Sequence, residues 1–189
     1  MVSFAASGER DSFPSLAQLV NNGQVWSAIE PTGVAAVIAL PTTLAQYSIY
    51  NNEDEGGLSY RPLKVFGIVT GTPAGLSQFG VVHCIHRDKP AAIPAADIAL
   101  TSIINRKPRF GAYTGRARID LALTVADDFW EPVGYSILNA VTGVGWQADV
   151  WLDDLIIIPP GGLYSLSVVA STTTVLTRLG LTWAEEQLN

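Results

Sequence analysis

Leu155-Ile156-Ile157-Ile158-Pro159-Pro160-Gly161-Gly162-Leu163-Tyr164-Ser165-Leu166-Ser167-Val168-Val169 decides how this chain is read. An apolar run stops at two prolines and two glycines. A second run follows at once, with apolar and hydroxyl residues alternating. Proline has no N–H to give a sheet ladder, and glycine reaches turn geometries closed to other residues. The segment therefore predicts strand, tight connection, strand.

The same grammar extends outward in both directions. Val34 to Leu40 is an apolar run stopped by Pro41, and Leu44 to Tyr50 alternates. Asn51 to Gly57 is an acidic, glycine-ended loop, and the runs Leu63 to Thr70 and Phe79 to His86 are joined through Gly71, Pro73 and Gly75. After a Pro-punctuated connection over 87–111, runs resume at Ala112 to Val125, Ser136 to Val141, Trp146 to Leu152, Leu155 to Ile158, Tyr164 to Ala170 and Val175 to Trp183. About ten strands at this spacing predict an all-β fold, an antiparallel two-sheet β-sandwich of jelly-roll-like type. No self-similar period marks a solenoid or propeller.

Residues 1–33 lack this rhythm and read as an N-terminal arm, leaving 34–189 for the sandwich domain. Pro14-Ser15-Leu16-Ala17-Gln18-Leu19-Val20 runs to Asn21-Asn22-Gly23, with proline at a helix start and glycine just past the end. The expectation is one short helix with Leu16, Leu19 and Val20 on a shared face. The arm also carries Phe13 and Trp26, so its apolar groups must pack on their own sandwich or on a neighbouring chain.

The chain has 189 residues, 48% of them hydrophobic and only 15% charged. That charge is below the ~25% usual for soluble domains and points to a large core or to surface covered by other subunits. A formal net charge of −6 and a pI near 4.7 argue against a nucleic-acid partner. The short basic group Arg106-Lys107-Pro108-Arg109, with Arg116 and Arg118, reads as a solvated loop or a subunit contact. One cysteine excludes an internal disulfide. The sequence shows no apolar run of membrane-spanning length and no basic-then-apolar leader, so no membrane partner and cytosolic synthesis are expected.

Residues that could carry chemistry are few. In His83-Cys84-Ile85-His86, strand alternation puts Cys84 and His86 on one face and His83 and Ile85 on the other. Two ligands fall short of a zinc site, so a core cysteine with strand-end histidines is expected, and no metal or cofactor. No nucleophile elbow, phosphate loop or dinucleotide fingerprint appears. The acidic groups Glu53-Asp54-Glu55, Asp127-Asp128, Asp153-Asp154 and Glu185-Glu186 fall at turns or chain ends and read as solvated surface. No catalytic residue is assigned, and the chain is expected not to be an enzyme. Trp146 and Trp183 are expected in the core, whereas Trp130, in a predicted loop, is the contact candidate.

Three motifs occur in order: Asp128-Phe129-Trp130-Glu131-Pro132-Val133-Gly134, Leu155-Ile156-Ile157-Ile158-Pro159-Pro160-Gly161-Gly162, and Gly180-Leu181-Thr182-Trp183-Ala184-Glu185-Glu186-Gln187-Leu188. In them the chain resembles small jelly-roll structural proteins of tailed-bacteriophage virions, over roughly 112–188. The resemblance implies a head decoration, cement or head-fibre base protein, often a homotrimer, that stabilises the head by binding the major capsid protein or another virion protein. It implies no catalytic residue. The expected partner contacts are Phe13, Leu16, Leu19, Val20, Trp26, Ile98, Ile103, Ile104 and Trp130. The competing reading is a receptor- or carbohydrate-binding sandwich module of a phage fibre or tail, with exposed tryptophans.

Overall fold

A computed structural model describes residues 15–42, 44–71, 77–124, 129–138, 147–152 and 156–187. They form an all-β sandwich. Sheet A orders its strands β11 (Gln147–Trp151), β5 (Ser59–Val69), β13 (Leu176–Glu186), β1 (Val25–Ile29) and β7 (Ile104–Asn105). The short β2 (Val34–Ala35) also pairs with β13, beyond the end of β1. Sheet B runs β10 (Trp130–Leu138), β6 (Ser77–Ile85), β12 (Leu163–Ala170), β4 (Tyr47–Asn51) and β8 (Ala117–Asp120). Neighbouring strands within both sheets are antiparallel.

Alternation builds the core between the sheets. Leu179, Leu181 and Trp183 of β13 lie in one buried cluster with Tyr164, Leu166 and Val168 of β12. Tyr47 and Ile49 of β4, Phe79 and Val81 of β6 and Val65 of β5 complete it. The intervening hydroxyls face away and pair across strands: Ser48 with Ser165 and Ser27 with Thr182, each at 2.7 Å. Those outward hydroxyls are nevertheless buried, so something covers both outer faces.

On sheet B the cover is a continuation of the β4–β8 ribbon. Past Gln46 it bends into β3 (Leu44–Ala45) paired with β9 (Leu123–Thr124). Ala45 and Leu123 pack there with Val82, Cys84, Val169 and Trp130. On sheet A the cover is α1 (Leu16–Asn21), whose Leu19 packs on Val25, Leu63 and Ala184. Ser15 caps α1 and shares a reciprocal capping box with Gln18, while Gly23 takes the left-handed φ of +74° that ends the turn.

The stretch Ile158 to Leu163 turns out to be the corner between the sheets. Ile158 exchanges both backbone hydrogen bonds with Tyr60 of sheet A, at 2.7 and 2.9 Å, whereas Leu163 pairs with Tyr50 of sheet B. Asn51 holds the corner: its N–H donates to Gly162 O, its carbonyl accepts from Gly161 N, and its side chain donates to Ile158 O. Gly161 sits at φ +77°. The apolar run before the prolines is therefore not the strand expected from Leu155 to Ile158: Ile158 makes a single bridge, and Leu155 lies outside the described residues.

Two other expectations change. The boundary at residue 33 falls within sheet A, because β1 is one of its inner strands, flanked by β13 and β7. Val34 to Leu40 is strand only at Val34–Ala35, with one bridge from Val37 to Val169, and Ile38 and Leu40 are exposed. Among the described residues no helix is long and apolar enough to cross a membrane.

Candidate functional site

Each sheet ends in an edge strand on either side, and the two sides differ. Along β7 and β8 the connection 87–116 ties the sheets together. Asp97 N donates to Ile119 O of β8, at 2.8 Å, and Ile104 and Asn105 pair with Ser27 and Trp26 of β1. Ile98, Ile103 and Tyr113 of this connection fill the core beside Trp26. Tyr113 stacks edge-on against Trp26 and Trp183, and its hydroxyl donates to Glu185 Oε1. Trp183 Nε1 donates to the same oxygen at 3.1 Å.

Along β10 and β11 the sandwich opens instead into a cleft of about 370 Å³. Its wall of apolar groups is Ile85, Val133, Val150, Leu152 and Ile156, and its polar groups are His83 and Glu131. Strand alternation carries His83 inward from β6, opposite Glu131 of β10. His83 Nε2 lies 3.4 Å from Glu131 Oε2, and Nδ1 lies 3.1 Å from the buried Tyr164 hydroxyl. Burial lowers the His83 pKa, with Glu131 opposing the shift. The ring is therefore neutral near pH 7, and the carboxylate beside Nε2 selects the tautomer with its proton there; Nδ1 then accepts from Tyr164.

Trp151 ends β11, 54% exposed, and alternation turns it away from the cleft to the outer face of sheet A. It faces Lys64 across the β11–β5 pair, and the Lys64 ammonium sits 5.2 Å from the indole centroid. Lys64 is fixed in turn by Asp149, at 2.6 Å. Ile85 also lines a neighbouring groove of about 220 Å³ against Ile157 and the Pro159–Gly162 corner.

His86 and Ser165 make the other contact with chemical promise. His86 Nε2 lies 2.7 Å from Ser165 Oγ, a nucleophile–base distance. Ser165, however, is fully buried in an inner strand of sheet B and shares its hydroxyl with Ser48, so a substrate has no route to it. Cys84 and His86 do share the outer face, yet Cys84 is buried with Val82 and Trp130. Among the described residues no group of three or more His, Cys, Asp or Glu side chains is gathered as a metal would need.

Of the expected contacts, the fold uses most of the apolar ones itself. Leu19 is buried under its own sheet, and Trp26, Ile98 and Ile103 belong to the core. Val20 is partly buried beside Leu19. Trp130 is a correction: it opens β10 rather than lying in a loop, and the β3–β9 ribbon covers it to 7% exposure. Its neighbour Phe129 is the exposed aromatic, at 75%. Leu16 and Ile104 remain on the surface, whereas Phe13 and Trp146 lie outside the described residues.

Sequence reasoning also misplaced the acids. Glu185 and Glu186 are buried in β13, the first against Tyr113 and Trp183, the second paired with Arg61 at 2.7 Å. Glu30, unremarked in the sequence, is fully buried where β1 has ended and β2 has not begun. Its N–H donates to Leu179 O, and its carboxylate accepts from Leu179 N at 2.7 Å. The carboxylate thus stands in for the missing ladder carbonyl. Gln46 Nε2 donates to the same oxygen at 3.0 Å, while Glu30 Oε1 and Gln46 Oε1 have no partner among the described residues. Burial pushes the Glu30 pKa up to about 7. The cleft left no signal in the sequence, because residues of β6, β10 and β11 must come together to line it. No family model matches the chain, and no curated protein matches it.

Proposed function

We propose that this chain is a non-catalytic building block of a protein assembly, of the kind that decorates or cements the heads of tailed phages. The supporting observation is the connection along the closed side. It buries Ile98 and Ile103, yet turns Leu100, Ile104 and Phe110 to solvent beside the short edge strand β7. Ile104 is 66% exposed on β7, paired with Ser27 of β1 and bridged to Ala112. Large apolar groups held outward on a fixed frame favour association by hydrophobic burial. The sparse charge of the sequence and its resemblance to virion jelly-roll proteins support the same reading.

The partners proposed are further copies of the chain, as a homotrimer, and a capsid protein beneath. Light scattering of the purified protein should give a closed oligomer rather than the 20.1 kDa of one chain. Ile104→Asp should shift it to monomer without unfolding it, and co-sedimentation with phage heads should fall in parallel. A protein that stays monomeric and never sediments with heads would overturn the proposal.

A further inference from the structure

Glu30 and Gln46 meet where the β4 ribbon bends from sheet B into β3, beside the break between β1 and β2. The Gln46 amide has a fixed orientation. Its Nε2 sits among three acceptors: Glu30 Oε2 at 3.0 Å, Thr177 Oγ1 at 3.2 Å and Thr177 O at 3.3 Å. Glu30 Oε2 also accepts from Leu179 N. One oxygen then remains on each group, Glu30 Oε1 and Gln46 Oε1, both buried and both without a partner among the described residues. Two acceptors cannot satisfy one another, but a single proton between them satisfies both. We propose that Glu30 carries a proton on Oε1 and donates it to Gln46 Oε1, closing an acid–amide ring that latches the β3–β9 ribbon, and that loss of this proton to solvent releases the ribbon.

The surroundings favour the neutral ring. Glu30 is fully buried, and burial is the largest influence on its carboxyl. The charged and titratable groups facing it are Arg178 of β13 and Tyr47 of β4. Arg178 favours the charged form, but its Nε is engaged by the Glu30 backbone carbonyl at 2.6 Å. The Tyr47 hydroxyl is a donor, yet it too lacks a partner, so it does not reach Glu30 Oε1. Ionised, Glu30 would set a charge against the Gln46 carbonyl with no donor for Oε1. Swinging Gln46 outward relieves this by admitting water. The ribbon follows, because Gln46 N–H pins it to Ser167 Oγ at 3.0 Å and the next residue, Ala45, covers Val82, Cys84 and Trp130.

Cys84, the chain's one cysteine and 1% exposed under that cover, reports the opening. Its labelling by a thiol reagent is compared with that of N-acetylcysteine at the same pH. The normalised rate in the full-length parent should rise about tenfold between about pH 6 and pH 8.5. Glu30→Gln, whose amide donates to Gln46 Oε1 as the acid does, should stay as protected at the higher pH as the parent at the lower. Gln46→Met removes the acceptor and should label fast at both. Tyr47→Phe should behave as the parent. The carbon-13 signal of the Glu30 carboxyl, identified by Glu30→Gln, should titrate at the midpoint of the labelling change. The proposal fails if Glu30→Gln keeps the parent's pH response, if Tyr47→Phe abolishes it, or if the carboxyl titrates in the ordinary carboxylate range. It fails equally if labelling follows urea as steeply as global unfolding does, because then no ribbon opens on its own.

Discussion

The two lateral sides of the sandwich solve one problem in opposite ways. Both end in edge strands and both must end the core. On the β7–β8 side the long connection inserts Ile98, Ile103 and Tyr113 and clamps both sheets. On the β10–β11 side the described residues leave a cleft whose inner wall carries His83. The aromatic groups follow the difference: Trp26 is buried on one side and Trp151 exposed on the other. One side therefore secures the fold, and the other is free to meet something else.

The largest effect expected from that contrast is on stability. Trp26→Ala should cost about 3–5 kcal/mol, because it empties a site packed against Tyr113 and Phe110. Trp151→Ala should stay within about 0.5 kcal/mol. Urea denaturation of both variants measures the gap, and equal losses would break the comparison.

Next comes the pH response, where the two halves should differ in sign. Glu30 lies on the closed half, between β1 and the ribbon that continues β4. Its folded pKa is raised from 4.5 to about 7, so the folded state holds the proton longer than the unfolded state. Its contribution is full below pH 4.5 and falls as pH rises through about 7, by about 3 kcal/mol at most. Stability measured across this window should lose that downward slope in Glu30→Gln. His83, on the open half, has a lowered folded pKa. Its contribution is full above 6.5, the ordinary value, and is lost as pH falls below it. In His83→Gln the difference from the parent should therefore run the other way.

The smallest effect should come from Glu131→Gln, since that carboxylate is more than half exposed in its pair with His83. Stability should change by less than about 1 kcal/mol. The His83 titration followed by NMR should nevertheless move to lower pH, because the one group raising its pKa is gone. An unmoved midpoint would mean that the pair does not form in solution.

Much of the frame was legible in the sequence because alternation reports burial directly. Tyr164-Ser165-Leu166-Ser167-Val168 puts its apolar members into the core and its serines outward, as the pattern predicts. Trp183 reads correctly for the same reason. Alternation is silent on which sheet a strand joins, so the Pro159–Gly162 connection read as a turn and proved to be a change of sheet. It is silent too on second layers. Trp130 and Leu19 were read as partner contacts because nothing local says that a bent ribbon or a helix covers the outer faces. The buried acids escaped for a related reason. Glu185 and Glu186 look like a charged tail until Tyr113, Trp183 and Arg61 arrive from distant positions. The cleft needs both edge strands together, and no spacing within one segment encodes it.

β13 has a consequence for how the molecule comes into being. It stands inside sheet A, with β5 on one side and β1 and β2 on the other. Of the described strands it is also the last made by the ribosome. Until Leu176 to Glu186 has been synthesised, β1, β2 and β5 lack their common partner, and Leu179, Leu181 and Trp183 are missing from the core. Sheet A cannot close progressively during translation; it closes in one late event, across pairings as distant as Val25 with Ala184. A ribosome stalled before residue 176 would carry an incomplete sandwich that exposes strand edges, the form most open to chaperones and to proteolysis.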